Sequence, residues 1–416
     1  MRRARLRTWV VVVALLTACA RVHPHVALPQ LTLDEPSFFP TLEAYASAPI
    51  VGGNTVELLL NGEQTFPAQI AAIRGATRTI NYAQYFYEDG LVARDIASAL
   101  AERCRAGVGA NVLLDAFGTL AMPREYSDEM TAAGCHVAWF RPLHRLWPGS
   151  KTNNRGHRRI LVADGRVAIT GGSGVSRKWM GDGRTEDHWR DTDVRIEGPA
   201  VSYVQGAFAE NWLEATGIVL GGEAYFPGPV SPKGQVYTQV VRSSPAGGSF
   251  AMYTAFLIAM ASARKSIYVT NPYFVLDDKM TEALLTARLN GARIAVLVPG
   301  KIDHNLVRQA SRARFGELLQ AGVEIYEYRA ALLHSKTMVI DSIWSTVGST
   351  NLDNRSFALN DELNVIFYNA DVARRLEKVF EDDLAHSRKV TYERWSKRGW
   401  KERVLELIAF PLRDQL

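Results

Sequence analysis

His157-Arg158-Arg159-Ile160-Leu161-Val162-Ala163-Asp164 and His334-Ser335-Lys336-Thr337-Met338-Val339-Ile340-Asp341 are two copies of one pattern. Each has a histidine, a cation two residues on, a mostly apolar run and an aspartate. Each leads into small residues, Gly171-Gly172-Ser173-Gly174 and Gly348-Ser349-Thr350-Asn351. The alternation after each histidine reads as a strand. Successive strand side chains alternate faces, so His157 and Arg159 share one face, as do His334 and Lys336. One histidine beside one cation is usually a surface or core accident. Two copies with the same tail are not.

These side chains suit exchange at a phosphodiester. A neutral imidazole can attack phosphorus and hold the phosphoryl group covalently. A second, protonated imidazole can serve the leaving alkoxide and then deprotonate the incoming alcohol or water. Histidine suits both tasks because its ordinary pKa, about 6.5, lies near working pH. Arg159 and Lys336 would offset charge on the phosphate oxygens. Each imidazole needs a group to fix its tautomer. By sequence order, Glu362 is expected to serve His334 and Asp191 to serve His157, with Asp187 and Asp193 as rivals. No His/Cys cluster at metal-ligand spacing surrounds either motif, so neither a metal nor an organic cofactor is expected.

The text on either side of the motifs also repeats. Ile70-Ala71-Ala72-Ile73 and Tyr85-Phe86 echo Ile258-Ala259-Met260-Ala261 and Tyr273-Phe274. Ala133-Gly134 before the first motif echoes Ala321-Gly322 before the second. Strand-like runs such as Ile294-Ala295-Val296-Leu297-Val298 alternate with helix-like ones, which predicts an α/β sandwich in each half. A Gly/Pro-rich seam at 217–233 divides them, giving expected domains at 45–220 and 221–416. One histidine per half implies one active site, formed where the halves meet face to face about a pseudo-twofold axis.

With these residues in view, the chain resembles the phospholipase D superfamily, whose signature is a duplicated His-x-Lys-x4-Asp, and its bacterial cardiolipin synthases in particular. The resemblance rests on Asn271-Pro272-Tyr273-Phe274, Leu333-His334-Ser335-Lys336, Gly348-Ser349-Thr350-Asn351-Leu352-Asp353-Asn354-Arg355-Ser356-Phe357 and Trp189-Arg190-Asp191-Thr192. It spans about residues 45 to 412. It implies two phospholipase D-like halves, a catalytic set of His157, Arg159, Asp164, Asp191, His334, Lys336, Asp341 and Glu362, and phosphate contacts from Gly172, Gly174, Ser349 and Asn351. It also implies His157 as nucleophile and His334 as acid, although the pseudo-symmetry leaves the roles exchangeable on paper. Two positions depart from the family pattern. Arg159 replaces lysine, which exchanges a point charge for a planar fork. Gly174 stands where Asn351 stands in the second copy, so the first half-site lacks one amide.

The N-terminus predicts the compartment. Arg2, Arg3, Arg5 and Arg7 precede an apolar run from Trp9 to Leu16, the layout of a signal segment too short to span a bilayer. Leu16-Thr17-Ala18-Cys19 resembles a bacterial lipoprotein cleavage box, so the expectation is a signal peptide at 1–18 and lipidation at Cys19. Residues 19–44, punctuated by prolines, are expected to form a tether. Multiple acyl chains give lasting attachment. Ala20 in place of aspartate points to the outer rather than the inner membrane. Cys104 and Cys135 are left as either a disulfide or two buried thiols.

The 416 residues carry 48 Lys+Arg against 43 Asp+Glu. Residues 1–18 hold four arginines and no acid, so without them 44 basic residues stand against 43 acidic ones. A nucleic-acid binder would retain a basic excess. Arg141 to Pro148, Trp179-Met180 and the tail from Arg388 to Phe410 mix basic and aromatic residues, which suits an anionic bilayer; a solvated face with a core-packing helix is the other reading of that tail. The expected function is a membrane-anchored phosphatidyltransferase joining two phosphatidylglycerols, with the bilayer as its partner and no obligate protein partner. Hydrolysis to phosphatidic acid, an extracytoplasmic nuclease and a non-catalytic lipid-binding protein are the alternatives.

Overall fold

The computed structural model describes residues 27–142, 153–228, 230–245, 248–302 and 305–409. The expected signal peptide, Cys19 and the segment from Leu143 to Pro148 lie outside them. The described strands are β1 (Ile50–Leu60), β2 (Thr79–Gln84), β3 (Gly109–Asp115), β4 (His136–Phe140), β5 (Ile160–Ala163), β6 (Val167–Gly171), β7 (Thr192–Glu197), β8 (Val236–Ser243), β9 (Ser266–Thr270), β10 (Arg293–Pro299), β11 (Glu324–Tyr328), β12 (Thr337–Ile340), β13 (Trp344–Gly348), β14 (Glu362–Tyr368) and β15 (Ser387–Val390). They form one 15-stranded sheet ordered β15-β11-β10-β9-β12-β13-β14-β8-β1-β7-β6-β5-β2-β3-β4.

Outward from the β1/β8 seam the order is the same in both directions: β1-β7-β6-β5-β2-β3-β4 matches β8-β14-β13-β12-β9-β10-β11. The duplication read from the motifs is thus a duplication of strands. The halves meet face to face as expected, with β13 against β6 and β7, and they are also joined edge to edge. Antiparallel pairing of Ile50 with Gln239 and Val51 with Thr238 makes the join. The physical reason is that β1 and β8 would otherwise be bare edges, and pairing them satisfies their backbone groups. Strands β2, β3 and β4 run parallel, as do β9, β10 and β11, with helical crossovers between them. Strand β10 is buried from Ile294 to Val298, as its unbroken apolar text requires of a strand covered on both faces.

Six helices matter below: α1 (Phe38–Ala46), α2 (Leu91–Arg105), α3 (Val201–Thr216), α4 (Ala251–Ser262), α5 (Ala370–Leu384) and α6 (Trp400–Ala409). Helix α3 ends at Gly217, which takes the left-handed conformation (φ +75°) that favours glycine. Val204, Phe208 and Trp212 of α3 share one core with Leu376 of α5 and with Val162, Val240, Val347 and Leu363 of the strands. That core crosses the seam, so the two halves are packed as well as hydrogen-bonded together. Helix α1 corrects the expected tether. Phe38, Leu42 and Ala46 lie one turn apart and are buried in the core of the second half with Tyr253 and Phe256 of α4. Prolines in this stretch masked an apolar stripe.

Cys104, late in α2, is bonded to Cys135, the residue before β4, with Cα atoms 5.5 Å apart. The link spans 31 residues. Chain entropy then gives it about 3–4 kcal/mol of stabilisation. The double variant Cys104→Ser, Cys135→Ser should lose about that much in urea unfolding, and reductant should lower the wild type to the same midpoint. Equal midpoints with and without reductant would contradict this.

Candidate active site

Both motif histidines emerge from the ends of their strands into one cleft at the junction of the halves. The cleft has a volume of about 600 Å3, and its lining includes Tyr85, His157, Arg159, Trp179, Trp189, His334, Asn351 and Arg355. The chain reaches each histidine through a short bridge to the opposite half. His157 N–H donates to the Asp361 carbonyl at 2.9 Å, and Asp361 N–H donates to the Arg155 carbonyl at 2.9 Å. His334 N–H donates to the Arg190 carbonyl at 2.8 Å, and Arg190 N–H donates to the Leu332 carbonyl at 2.8 Å.

The next residue in each bridging segment is the carboxylate. Glu362 therefore meets His157, with Nδ1 2.9 Å from both carboxylate oxygens. Asp191 meets His334, with Nδ1 2.8 Å from Oδ2. This reverses the pairing expected from sequence order, in which Glu362 served His334 and Asp191 served His157. The cause is topological: Glu362 opens β14 and Asp191 precedes β7, and the bridges carry each strand start across to the other half's histidine. Asp193, one of the rivals, accepts from Thr65 Oγ1 at 3.0 Å and from Ser173 Oγ instead. Asp187 makes no contact with either imidazole among the bonds described.

The electrostatics follow from burial. Asp191 and Glu362 are fully buried, while His157 and His334 keep 7% and 6% exposure, the cleft side of each ring. Burial, then Lys336, depresses His334 to about 4 against the support of Asp191. Burial, then Arg159 and Lys336, holds His157 well below the usual imidazole range. Burial would raise Asp191, but His334, Lys336 and the Trp179 N–H hold it below the usual carboxylate range. Burial pushes Glu362 up to about 7, opposed by the Ser349 hydroxyl and Arg159. Burial and the neighbouring Asp191 push Asp193 up to about 6. Burial and the neighbouring cations thus both favour the neutral imidazole at each histidine, an arrangement that an anionic phosphodiester would complement.

The two cations sit close to their histidines. Lys336 Nζ lies 2.8 Å from His334 Nδ1 and 3.0 Å from Nε2. Arg159 Nη1 donates to the His157 carbonyl at 2.6 Å, and the guanidinium lies 5.5 Å from the Tyr85 ring centre. Tyr85 also meets the His157 ring edge-on at 4.9 Å. Trp179 and Trp189 flank His334 at 5.2 and 5.5 Å.

Five of the expected assignments change. Asp164 and Asp341 are remote from the cleft, at the far ends of β5 and β12. Asp164 accepts N–H bonds from Thr77, Arg78 and Thr79 at 2.8 to 3.2 Å. Asp341 accepts from Arg264, Lys265 and Ser266 at 2.7 to 2.8 Å. Each ties down the start of a neighbouring strand, β2 or β9, which explains the recurrence without any catalytic role. Ser349 does not open to the cleft as an expected phosphate ligand; its Oγ donates to Glu362 Oε2 at 2.5 Å. Gly172 backs onto Asp191, where a Cβ would come within 2.3 Å of Oδ1. Gly174 lies beneath Phe86 and Trp179. Of the four expected phosphate contacts, Asn351 alone is among the cleft-lining residues. Tyr85, Trp179 and Asn360 were missed as site residues, because no periodicity or spacing connects them to the motifs.

The comparisons agree with this geometry. A family profile described as "Cardiolipin synthase, PLD-like domain" matches residues 256–384. The chain is 31% identical to cardiolipin synthase 1 of Bacillus anthracis over 372 residues, 88% of this chain and 73% of that protein. It is 34% identical to a probable cardiolipin synthase of Bacillus subtilis over 356 residues, 86% of this chain and 71% of that one. The fold is similar to that of a phosphatidylserine synthase from Haemophilus influenzae, with a TM-score of 0.69 at 14% identity over 91% of this chain and 98% of that one. The duplicated strand order, the two motif histidines and the extent of these likenesses lead to one assignment: the chain belongs to the phospholipase D superfamily, in its bacterial cardiolipin synthase branch, and is a phospholipase D-type phosphatidyltransferase.

Proposed function

We propose that the protein is a membrane-anchored cardiolipin synthase that joins two phosphatidylglycerols through a phosphatidyl-histidine. The observation that carries this reading is the crossed pair of buried His–carboxylate contacts facing one cleft. Glu362 takes Nδ1 of His157 and leaves Nε2 for substrate; Asp191 does the same for His334. His157 Nε2 attacks phosphorus, the P–N bond forms, and the P–O bond to glycerol breaks. The departing oxygen takes a proton from His334. The hydroxyl of a second phosphatidylglycerol then returns a proton to His334 as its oxygen attacks phosphorus and the P–N bond breaks. Two phosphatidylglycerols become cardiolipin and glycerol. The negative phosphodiester, entering beside His334, raises that histidine's proton affinity from its depressed free value. Arg159 and Asn351, which line the cleft, would contact the phosphate oxygens, and Lys336, buried beside His334, would offset their charge.

The rim of the cleft favours a lipid over a nucleic acid. Phe117 and Leu120 line it and are 54% and 66% exposed. On the other side, α6 exposes Trp400, Val404 and Leu407, while its Ala409 packs against the cleft residue Val307. The near-balanced charge outside residues 1–18 points the same way. The cleavage-box text at Cys19 and the Cys104–Cys135 link support an extracytoplasmic, lipid-anchored enzyme. Among the described residues no helix is long and apolar enough to cross a membrane.

The test is lipid analysis after incubation with phosphatidylglycerol vesicles. Cardiolipin and glycerol should appear in equal amounts. Phosphatidic acid would make water the acceptor. An intact lipid pool beside cleavage of a dinucleotide would replace the lipid reading with a nuclease.

A further inference from the structure

The residues after β6 and β13 correspond one to one: Gly172, Ser173 and Gly174 with Ser349, Thr350 and Asn351. In the second half, the Ser349 hydroxyl holds Glu362 against His157. Gly172 has no hydroxyl to offer Asp191, and its close approach leaves no room for one. Asp191 takes its donor from elsewhere. Trp179 Nε1 donates to Asp191 Oδ2 at 2.8 Å, the same oxygen that meets His334 Nδ1. The Thr192 N–H takes the other oxygen at 2.9 Å. The carboxylate is therefore pinned at both oxygens.

Trp179 is itself held firmly. It is 2% exposed and lies against Phe86 and Trp189, with ring centres 5.4 and 4.4 Å away. Its ring stands at 87° to His334, edge to face. A Cβ on Gly174 would lie 3.0 Å from Trp179 Cζ3 and Cη2. The indole thus occupies the room that an asparagine side chain at 174 would need. The glycine at 174 and the tryptophan at 179 are one structural exchange: an amide facing phosphate is lost, and an N–H facing the carboxylate is gained.

We propose that Trp179 is the positioning residue of the Asp191–His334 pair, the first-half counterpart of Ser349. The idea rests on the reading of His334 as the acid that serves the leaving oxygen. A leaving group that needs no proton should therefore bypass it in the first half-reaction, up to the phosphoryl-histidine, although the second still needs His334 as base. The experiment compares phosphatidylglycerol, whose glycerol must be protonated, with a p-nitrophenyl phosphodiester, whose phenolate departs unaided. Two variants remove the N–H: Trp179→Phe, and the full chain with benzothienylalanine at 179, which keeps the bicyclic shape and replaces N–H by sulfur.

With phosphatidylglycerol, kcat should fall roughly 10- to 100-fold at nearly constant KM, the scale of one lost hydrogen bond to a charged group. With the p-nitrophenyl substrate, the loss should shrink to about threefold or less in the single-turnover burst of p-nitrophenolate, which reports formation of the phosphoryl-histidine alone. Ser349→Ala should instead lose on both substrates alike, because the attacking His157 is needed whichever group leaves. Equal losses on both substrates in the Trp179 variants would overturn the proposal, as would wild-type kcat with benzothienylalanine. If the wild type ignores phosphatidylglycerol, a thymidine dinucleotide supplies the alkyl leaving group. The lipid reading would then have failed while the Trp179 contrast is still decided.

Discussion

His157→Ala should abolish turnover, with kcat reduced by about 10^4-fold or more, because it removes the atom that bonds to phosphorus and no neighbouring group replaces it. His334→Ala should also lose at least about 10^2- to 10^4-fold on phosphatidylglycerol. The two variants should nevertheless behave differently with a p-nitrophenyl phosphodiester. The His157 variant should form no covalent enzyme. The His334 variant should form it and then stall, since nothing deprotonates the incoming hydroxyl. Quenching under conditions that preserve phosphoramidates, followed by peptide mass spectrometry, should locate the adduct on His157. An adduct on His334 in the wild type would exchange the two roles. Absence of any adduct in wild type and variants would remove the covalent route.

Glu362→Gln and Asp191→Asn form the second prediction, and here the crossing has direct force. Each amide should cost roughly 10^2- to 10^4-fold in kcat by spoiling the tautomer of its own imidazole. Glu362→Gln should harm the attacking histidine and so slow both kinds of substrate. Asp191→Asn should harm the acid, and its loss should be relieved in the burst of p-nitrophenolate, though not in the release of the covalent enzyme that follows. The assignment read from sequence order predicts the opposite pattern, so the two substrates decide between them.

Stability should move against activity in the Glu362 variant. Glu362 is raised from 4.5 to about 7. A carboxyl with a raised folded pKa contributes stability that is fully present below its unfolded value and is lost as pH climbs through the folded one. Glutamine does not titrate. Relative to wild type, the variant should therefore gain stability between pH 4.5 and 7 and keep that gain above, while turnover stays low. Unfolding midpoints measured across that range, with no gain toward high pH, would contradict the burial argument.

Most of the chemistry was legible from the repeated pairing of His157 with Arg159 and of His334 with Lys336, although these four lie just ahead of β5 and β12 rather than on a strand as expected. The alternating text after each histidine does form β5 and β12. The aspartates at 164 and 341 were legible as a recurrence but not as a role. They lie seven residues along, roughly 20 Å at strand rise, where backbone N–H groups and, for Asp164, the Thr77 hydroxyl await them. The carboxylate pairing was illegible for a different reason. Nearness in sequence favours Asp191 for His157, and only the β1/β8 seam shows that the bridges run between halves. Trp179 read as an aromatic for the bilayer, yet it is buried. It sits in a three-residue turn, too short to carry a period. Phe38 and Leu42 read as tether because prolines surround them, whereas a core in the second half claims them.

The crossed carboxylates also make the chain its own safeguard. Neither half contains a histidine together with the acid that orients it. A first half emerging during synthesis carries His157 without Glu362, and a second half released by proteolysis carries His334 without Asp191. An incomplete or severed chain therefore cannot expose a competent nucleophile to the phosphodiesters around it. Reactivity is withheld until the last of the paired strands has been made and the sheet has closed.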